Sequence, residues 1–203
     1  MMVEIGYEGG DVVRTVGGRG VESFGPGIGE HDRCPVCALA GIPVSRLVMR
    51  AALPRELHEF ARAGFFLCST PSCPLAYFDN ERSTYLHKDE LRIIVGVKAA
   101  GPSSPVCYCL RVTEGRVIQE VATKRCCLTL DEVAAVTGAL LGKACHIVNS
   151  SGRCCGPEVK AAVLKGLRVA GFSDYTQEVQ ELLAEDVEHC RSRFGLGGVT
   201  VVE

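Results

Sequence analysis

Cysteine spacing constrains this chain more than any other feature, because twelve cysteines occur in 203 residues and most of them fall in close groups. Cys34-Pro35-Val36-Cys37 is followed, after thirty intervening residues, by Cys68-Ser69-Thr70-Pro71-Ser72-Cys73. Two close pairs on separate turns can bring four sulfurs to the corners of a tetrahedron around one ion, with turn amides stabilising the thiolates. Zn2+ is the leading metal for Cys34, Cys37, Cys68 and Cys73, since it is redox-inert and a thiolate site can hold together a region with a small core. Mononuclear iron shares the four-sulfur geometry and stays open. His31 and Asp32 adjoin the first pair and are read as solvent-facing rather than as ligands.

A second group has a different pattern: Cys107-Tyr108-Cys109, a long helical stretch, Cys145, and the adjacent Cys154-Cys155. A one-residue gap is uncommon in structural zinc sites, whose ligand pairs usually stand two to four residues apart. A binuclear iron-sulfur cluster suits it better, because two bridged irons spread four ligand positions over a longer object. Gly152 and Gly156 flank the last ligands and permit close backbone approach. A helix starting at Pro157 would aim its positive N-terminus at the anionic centre.

Composition narrows the setting. The net charge of −2 argues against a nucleic-acid binder held by a basic surface, and no apolar run approaches a membrane span. Without an export-signal pattern at the N-terminus, a reducing cytoplasm is expected, where thiolates serve metals more than disulfides. Aromatic residues make up 6% of the chain and Trp is absent, so cores must be small and built from Val, Leu, Ile and Ala. No P-loop, Gly-x-Ser-x-Gly, His-Glu-x-x-His or dinucleotide fingerprint is present, and the chain is not expected to be an enzyme.

Nine of the 23 glycines lie in residues 1–30, which read as a flexible tail. Residues 31–99 read as a mixed zinc-binding domain. It contains an apolar run around Val44, Leu47 and Val48, a proline-started helix carrying Leu57, Phe60 and Ala61, short strands at Phe65-Phe66-Leu67 and Ala76-Tyr77-Phe78, and another strand from Leu91 to Val97. The small residues and prolines between Ala99 and Pro105 mark a boundary. Residues 106–172 read as helical. Thr113 caps a helix with Val117, Ile118 and Val121, and Thr129-Leu130-Asp131-Glu132 has capping-box spacing before Val133, Val136 and Leu140. Pro157 starts a helix with Val159, Ala162 and Val163 on one face. A C-terminal helix over 173–194, with Val179, Leu182, Leu183 and Val187, precedes a tail at 195–203.

Cys-x-Cys, a helical spacer, a further cysteine and then Cys155-Gly156-Pro157-Glu158-Val159 resemble the [2Fe-2S] domain of bacterioferritin-associated ferredoxin (BFD). Taken with Cys34-Pro35-Val36-Cys37, with Cys68 and Cys73 before Tyr77-Phe78, with Val106-Cys107-Tyr108-Cys109 and with Asn149-Ser150-Ser151-Gly152-Arg153-Cys154-Cys155, the pattern is similar to the N-terminal domain of CopZ-type copper chaperones over about residues 30–170. The resemblance implies an α+β chain: a small mixed zinc-binding domain, then a mainly helical BFD-like domain holding a [2Fe-2S] cluster on Cys107, Cys109, Cys145 and Cys155. It also selects Cys155 over Cys154, since the family's last ligand is followed by one residue and then a Pro-Glu-Val-like helix start. Nothing after Cys155 has the Met-x-Cys-x-x-Cys spacing of that family's Cu(I)-binding domain, and Cys190 is the one later cysteine.

The expected function is one-electron transfer to a redox partner, either a flavoprotein or a metal-handling protein. The alternative is binding, reduction or sensing of a soft metal such as Cu(I) by further thiols, with Cys126, Cys127 and Cys154 as candidates. Cys126-Cys127 is read as a buried pair and Cys190 as a small core residue. Tyr108 is read as a shield for the cluster, and His146 as either a tuning group or an exposed side chain.

Overall fold

A computed structural model describes residues 14–15, 31–124 and 129–171. Cys126, Cys127, Cys190, the expected C-terminal helix over 173–194 and the tail at 195–203 lie outside the described residues. So does the expected N-terminal tail, apart from Arg14–Thr15. Contacts divide the chain into two units: residues up to Ala99 together with Ser150–Gly152, and Ala100–Asn149 together with the residues from Arg153 onward.

The first unit is built on a five-stranded sheet. Its strands are β1 (Arg14–Thr15), β2 (Ile42–Pro43), β3 (Phe66–Leu67), β4 (Leu75–Asp79) and β5 (Thr84–His87), in the spatial order β1-β5-β4-β3-β2. Neighbours are antiparallel except β1 and β5, which pair in parallel, so Arg14–Thr15 form an edge strand within a stretch whose composition reads as tail. β4 is buried at all five positions, as suits a central strand covered on both faces. Ser45 caps α1 (Arg46–Ala52) by accepting from the Val48 amide, and α1 turns Val48, Met49 and Ala52 into a core with Leu53, Phe65, Leu67, Tyr77, Leu86 and Val95. Fully burying one such side chain contributes about 1.5–3 kcal/mol.

Two local expectations are corrected. The proline-started helix is a 3₁₀ helix over Arg55–Phe60. The stretch Leu91 to Val97 is not a strand: Arg92 binds back to α1 through its backbone N–H to the Ala52 carbonyl, and a 3₁₀ turn occupies Gly96–Lys98. Its alternation of half-buried or buried Leu91, Ile93 and Val95 with exposed Arg92 and Ile94 is real. It reflects a bent segment laid on a core and paired with no strand among the described residues.

The second unit is mainly helical. A short antiparallel hairpin of β6 (Pro105–Cys107) and β7 (Val112–Thr113) leads into α2 (Glu114–Lys124), followed by α3 (Leu130–Thr137), α4 (Cys145–Val148) and α5 (Gly156–Val169). The Thr113 hydroxyl accepts from the Arg116 amide at the start of α2, and Thr129 and Glu132 form the full capping box of α3. On α5, Val159, Ala162, Val163, Gly166 and Leu167 are buried, the 3.6-residue stripe that the sequence pattern predicts. Gly166 lets α5 approach α2 closely, since a Cβ there would stand 2.8 Å from the Val121 Cβ.

Candidate metal centres

The first cysteine pair sits on a tight turn. Cys34 donates its N–H to the Leu39 carbonyl, its own carbonyl accepts from Ala38, and an isolated bridge between Arg33 and Ala40 closes the turn. The second pair lies in the loop between β3 and β4, where Cys68 N–H reaches the Ala76 carbonyl and Cys73 N–H reaches that of Thr70. The sheet therefore carries both turns. Their sulfurs converge: Cys34 to Cys73 is 3.8 Å, Cys37 to Cys68 is 3.6 Å, and all four lie within 4.8 Å of one another. Four sulfurs each about 2.3 Å from one ion at tetrahedral corners stand about 3.8 Å apart, so the set fits a single tetrahedral ion.

Cys34, Cys68 and Cys73 are buried against Leu75, Phe78 and Tyr85, while Cys37 is half-buried. Burial pushes the Cys34 thiol far up and the Cys73 thiol up to about 11. At Cys37 burial also raises, but hydrogen bonds from the Thr70 hydroxyl, the Leu39 backbone and the neighbouring thiols outweigh it and bring the thiol down to about 7. Lys98 completes the surroundings. Its Nζ donates to the Cys68 Sγ at 3.3 Å and to the carbonyls of Thr70 at 2.6 Å and Cys73 at 3.2 Å. Neither Thr70 nor Lys98 carries a sequence signal for this role, since Lys98 lies 25 residues beyond Cys73.

In the second unit, Cys107 ends β6, Cys109 lies in the hairpin turn, Cys145 opens α4 and Cys155 caps α5, so four different local structures deliver the four sulfurs. Cys109 Sγ is 3.6 Å from Cys145 Sγ, which is 3.8 Å from Cys155 Sγ. A thiol hydrogen bond from Cys155, with the backbone of Leu140 and Leu110, outweighs burial and lowers Cys107 to about 6. Cys155 is raised strongly by its hydrogen bonds to Cys107 and Cys145 and by burial, and burial raises Cys109 to about 11. Contacts thus run from Cys109 through Cys145 and Cys155 to Cys107. Among the described residues, the first quartet is the one group whose ligand atoms all lie within 4.8 Å of one another.

Cys155 is fully buried and Cys154 half-buried, with a hydrogen bond from the Cys154 thiol among the influences lowering Cys145. Pro157 stands in the first turn of α5, whose N-terminus meets Cys155. Gly142, which motif reasoning passes over, comes so close to the hairpin that a Cβ there would stand 2.3 Å from the Cys109 Cβ and 3.4 Å from its sulfur. Tyr108 is half-buried, His146 is exposed, and His31 and Asp32 are exposed outside the quartet, with His31 3.8 Å from Glu81. Among the described residues no helix is long and apolar enough to cross a membrane.

Four mutually close cysteines on two turns define the first centre as a thiolate metal site within a small mixed domain. Comparison with known proteins makes the class specific. Residues 31–92 match the CopZ-type family described as a zinc binding domain. Copper chaperone CopZ of Archaeoglobus fulgidus is 39% identical over 123 residues, which are 61% of this chain and 57% of that protein. The chain thus spans little more than half the length of this relative. The solved N-terminal domain of the same CopZ is similar with a TM-score of 0.55 at 35% identity, covering 64% of this chain and 95% of that structure. The chain belongs to the family of the CopZ N-terminal domain.

Proposed function

We propose that this chain handles copper, binding Cu(I) through thiols outside a structural zinc site and passing it to a metal-handling partner without acting as an enzyme. Its relationship to a copper chaperone carries this reading, and a thiol-rich second unit supplies the soft donors that Cu(I) selects. Cys34, Cys37, Cys68 and Cys73 would hold zinc, consistent with their closed, mostly buried arrangement and the redox-inert character of that ion. Among the described residues Cys154 is the thiol outside both quartets, and Cys126 and Cys127 add two more to the sequence.

A second reading concerns Cys107, Cys109, Cys145 and Cys155. Their sulfurs form a run of contacts rather than one tight quartet, and Cys155 within the run stands at the N-terminus of α5, which suits an elongated anionic group better than one ion. A [2Fe-2S] cluster held there, in a BFD-like domain, would supply one-electron redox capacity. Chain prepared without oxygen should contain one zinc, two irons and two acid-labile sulfides and show a red-brown visible spectrum. Titration with Cu(I) should then saturate without displacing zinc or iron. Absence of Cu(I) binding overturns the copper reading, and a colourless chain with two zincs after iron and sulfide reconstitution overturns the cluster.

A further inference from the structure

We infer that Lys98 is the charge-compensating residue of the four-cysteine centre, a positioning group that sets how tightly the site holds its ion; this rests on the reading that the quartet binds zinc. Four thiolates around a divalent ion leave two negative charges in excess. Three of the four sulfurs are buried, where such an excess is poorly screened. The Lys98 ammonium reaches this charge directly, 3.3 Å from the Cys68 Sγ. Its other two hydrogen bonds go to the carbonyls of Thr70 and Cys73, inside the loop that separates the second ligand pair. One cation therefore neutralises a ligand and fixes the loop that presents it.

The fold holds Lys98 in place. It ends the 3₁₀ turn Gly96–Lys98, its N–H bonding to the carbonyl of Val95, and Val95 is 3% exposed in the core beneath α1. The ammonium thus comes from a turn anchored outside the metal loop, a partner that ligand spacing cannot reveal. The ligands differ accordingly. Cys68 receives a cationic donor, whereas half-buried Cys37 receives the neutral hydroxyl of Thr70 at 3.1 Å. A hydrogen bond to an ammonium withdraws charge from the sulfur and lowers its tendency to leave with a proton or to attack an electrophile.

The test compares Lys98→Arg, Lys98→Gln and Lys98→Met in the full chain, prepared without oxygen, with zinc and iron quantified. Competition with a chromophoric chelator gives zinc affinity, and cobalt substitution gives the sulfur-to-metal charge-transfer band. Removal of partners of this kind costs about 10–100-fold in metal affinity, the loss expected for Lys98→Gln and Lys98→Met, with Lys98→Arg staying within a few-fold of the parent. The cobalt band should move to lower energy in Lys98→Gln and not in Lys98→Arg, because uncompensated sulfur lone pairs rise in energy. Parent-like affinity and spectrum in Lys98→Gln overturn the inference. So does an Arg variant as weak as Met, which would assign the effect to side-chain packing. If Lys98→Met fails to fold, the Gln and Arg pair decides. A parent chain that binds neither zinc nor cobalt refutes the zinc reading itself, an outcome distinct from equal binding by all variants.

Discussion

The two cysteine groups use the same donor atom and differ in how the chain assembles it. In the first, two turns carried by one sheet bring four sulfurs within 4.8 Å of one another, and a lysine from a third segment compensates the charge. In the second, the end of a strand, the hairpin turn after it, the start of a four-residue helix and the cap of a fourteen-residue helix supply sulfurs that touch in sequence. A closed cage suits an ion whose role is to hold structure. An open run at a helix N-terminus suits a larger, exchangeable or redox-active group.

That contrast breaks most sharply on removal of a ligand. Cys68→Ser or Cys73→Ser should cost the first unit most of its stability, because structural zinc contributes about 10–16 kcal/mol in small domains. Limited proteolysis with mass measurement should show cleavage within residues 31–99, while a visible spectrum reports whether the second unit keeps the colour of the proposed cluster. A protease-resistant first unit without zinc would refute the structural role, and loss of colour together with zinc would show that the two groups do not stand independently.

Gly142→Ala probes the second group without touching a ligand. The added Cβ would stand 2.3 Å from the Cys109 Cβ, so the loop after α3 or the hairpin turn must move. Overpacking of this kind costs about 1–3 kcal/mol, and the displacement falls on a ligand-bearing turn. Iron content and the visible spectrum should fall sharply with zinc unchanged. Parent-like colour would mean that Cys109 is dispensable.

Within the vicinal pair, Cys155→Ser should do more damage than Cys154→Ser. Cys155 is fully buried and meets both Cys107 and Cys145, whereas Cys154 is half-buried and reaches Cys145. The expected outcome is loss or distortion of the spectrum in the first variant and a retained cluster with reduced Cu(I) uptake in the second. The reverse order would reassign the fourth ligand.

How much of this was legible in the sequence follows from the range of each signal. Ligand pairs three and five positions apart are local turns, and Cys34, Cys37, Cys68 and Cys73 can be read directly as a candidate quartet. Thr113, Thr129 and Pro157 announce helix starts because capping is also local. Lys98 and Gly142 act through contacts across the fold, where spacing says nothing. Ala76-Tyr77-Phe78 reads as a strand and falls within β4, buried at all five positions, whereas the short β5 at Thr84–His87 carries no apolar run that marks it. The apolar run at Val44, Leu47 and Val48 was visible, but it spans a buried loop residue and α1, with Leu47 itself exposed.

The smallest expected effect tests whether the second unit's helices matter to its cysteines beyond holding them. Thr129 accepts from the Glu132 amide at 3.3 Å, while a Glu132 carboxylate oxygen accepts from the Thr129 amide at 3.1 Å. Both residues are half-buried or exposed, so Thr129→Ala removes one side of the box without opening a cavity. Loss of such a cap costs about 1 kcal/mol. α3 buries Leu130 and Val133 in the same core as Cys107, Cys145 and Cys155, but supplies no ligand. Thermal unfolding of the second unit should therefore shift down by a few degrees, with iron content and spectrum unchanged. A loss of cluster out of proportion to that shift would show that α3 positions the ligands directly, and the open run of sulfurs would then depend on more of the fold than its four delivering segments.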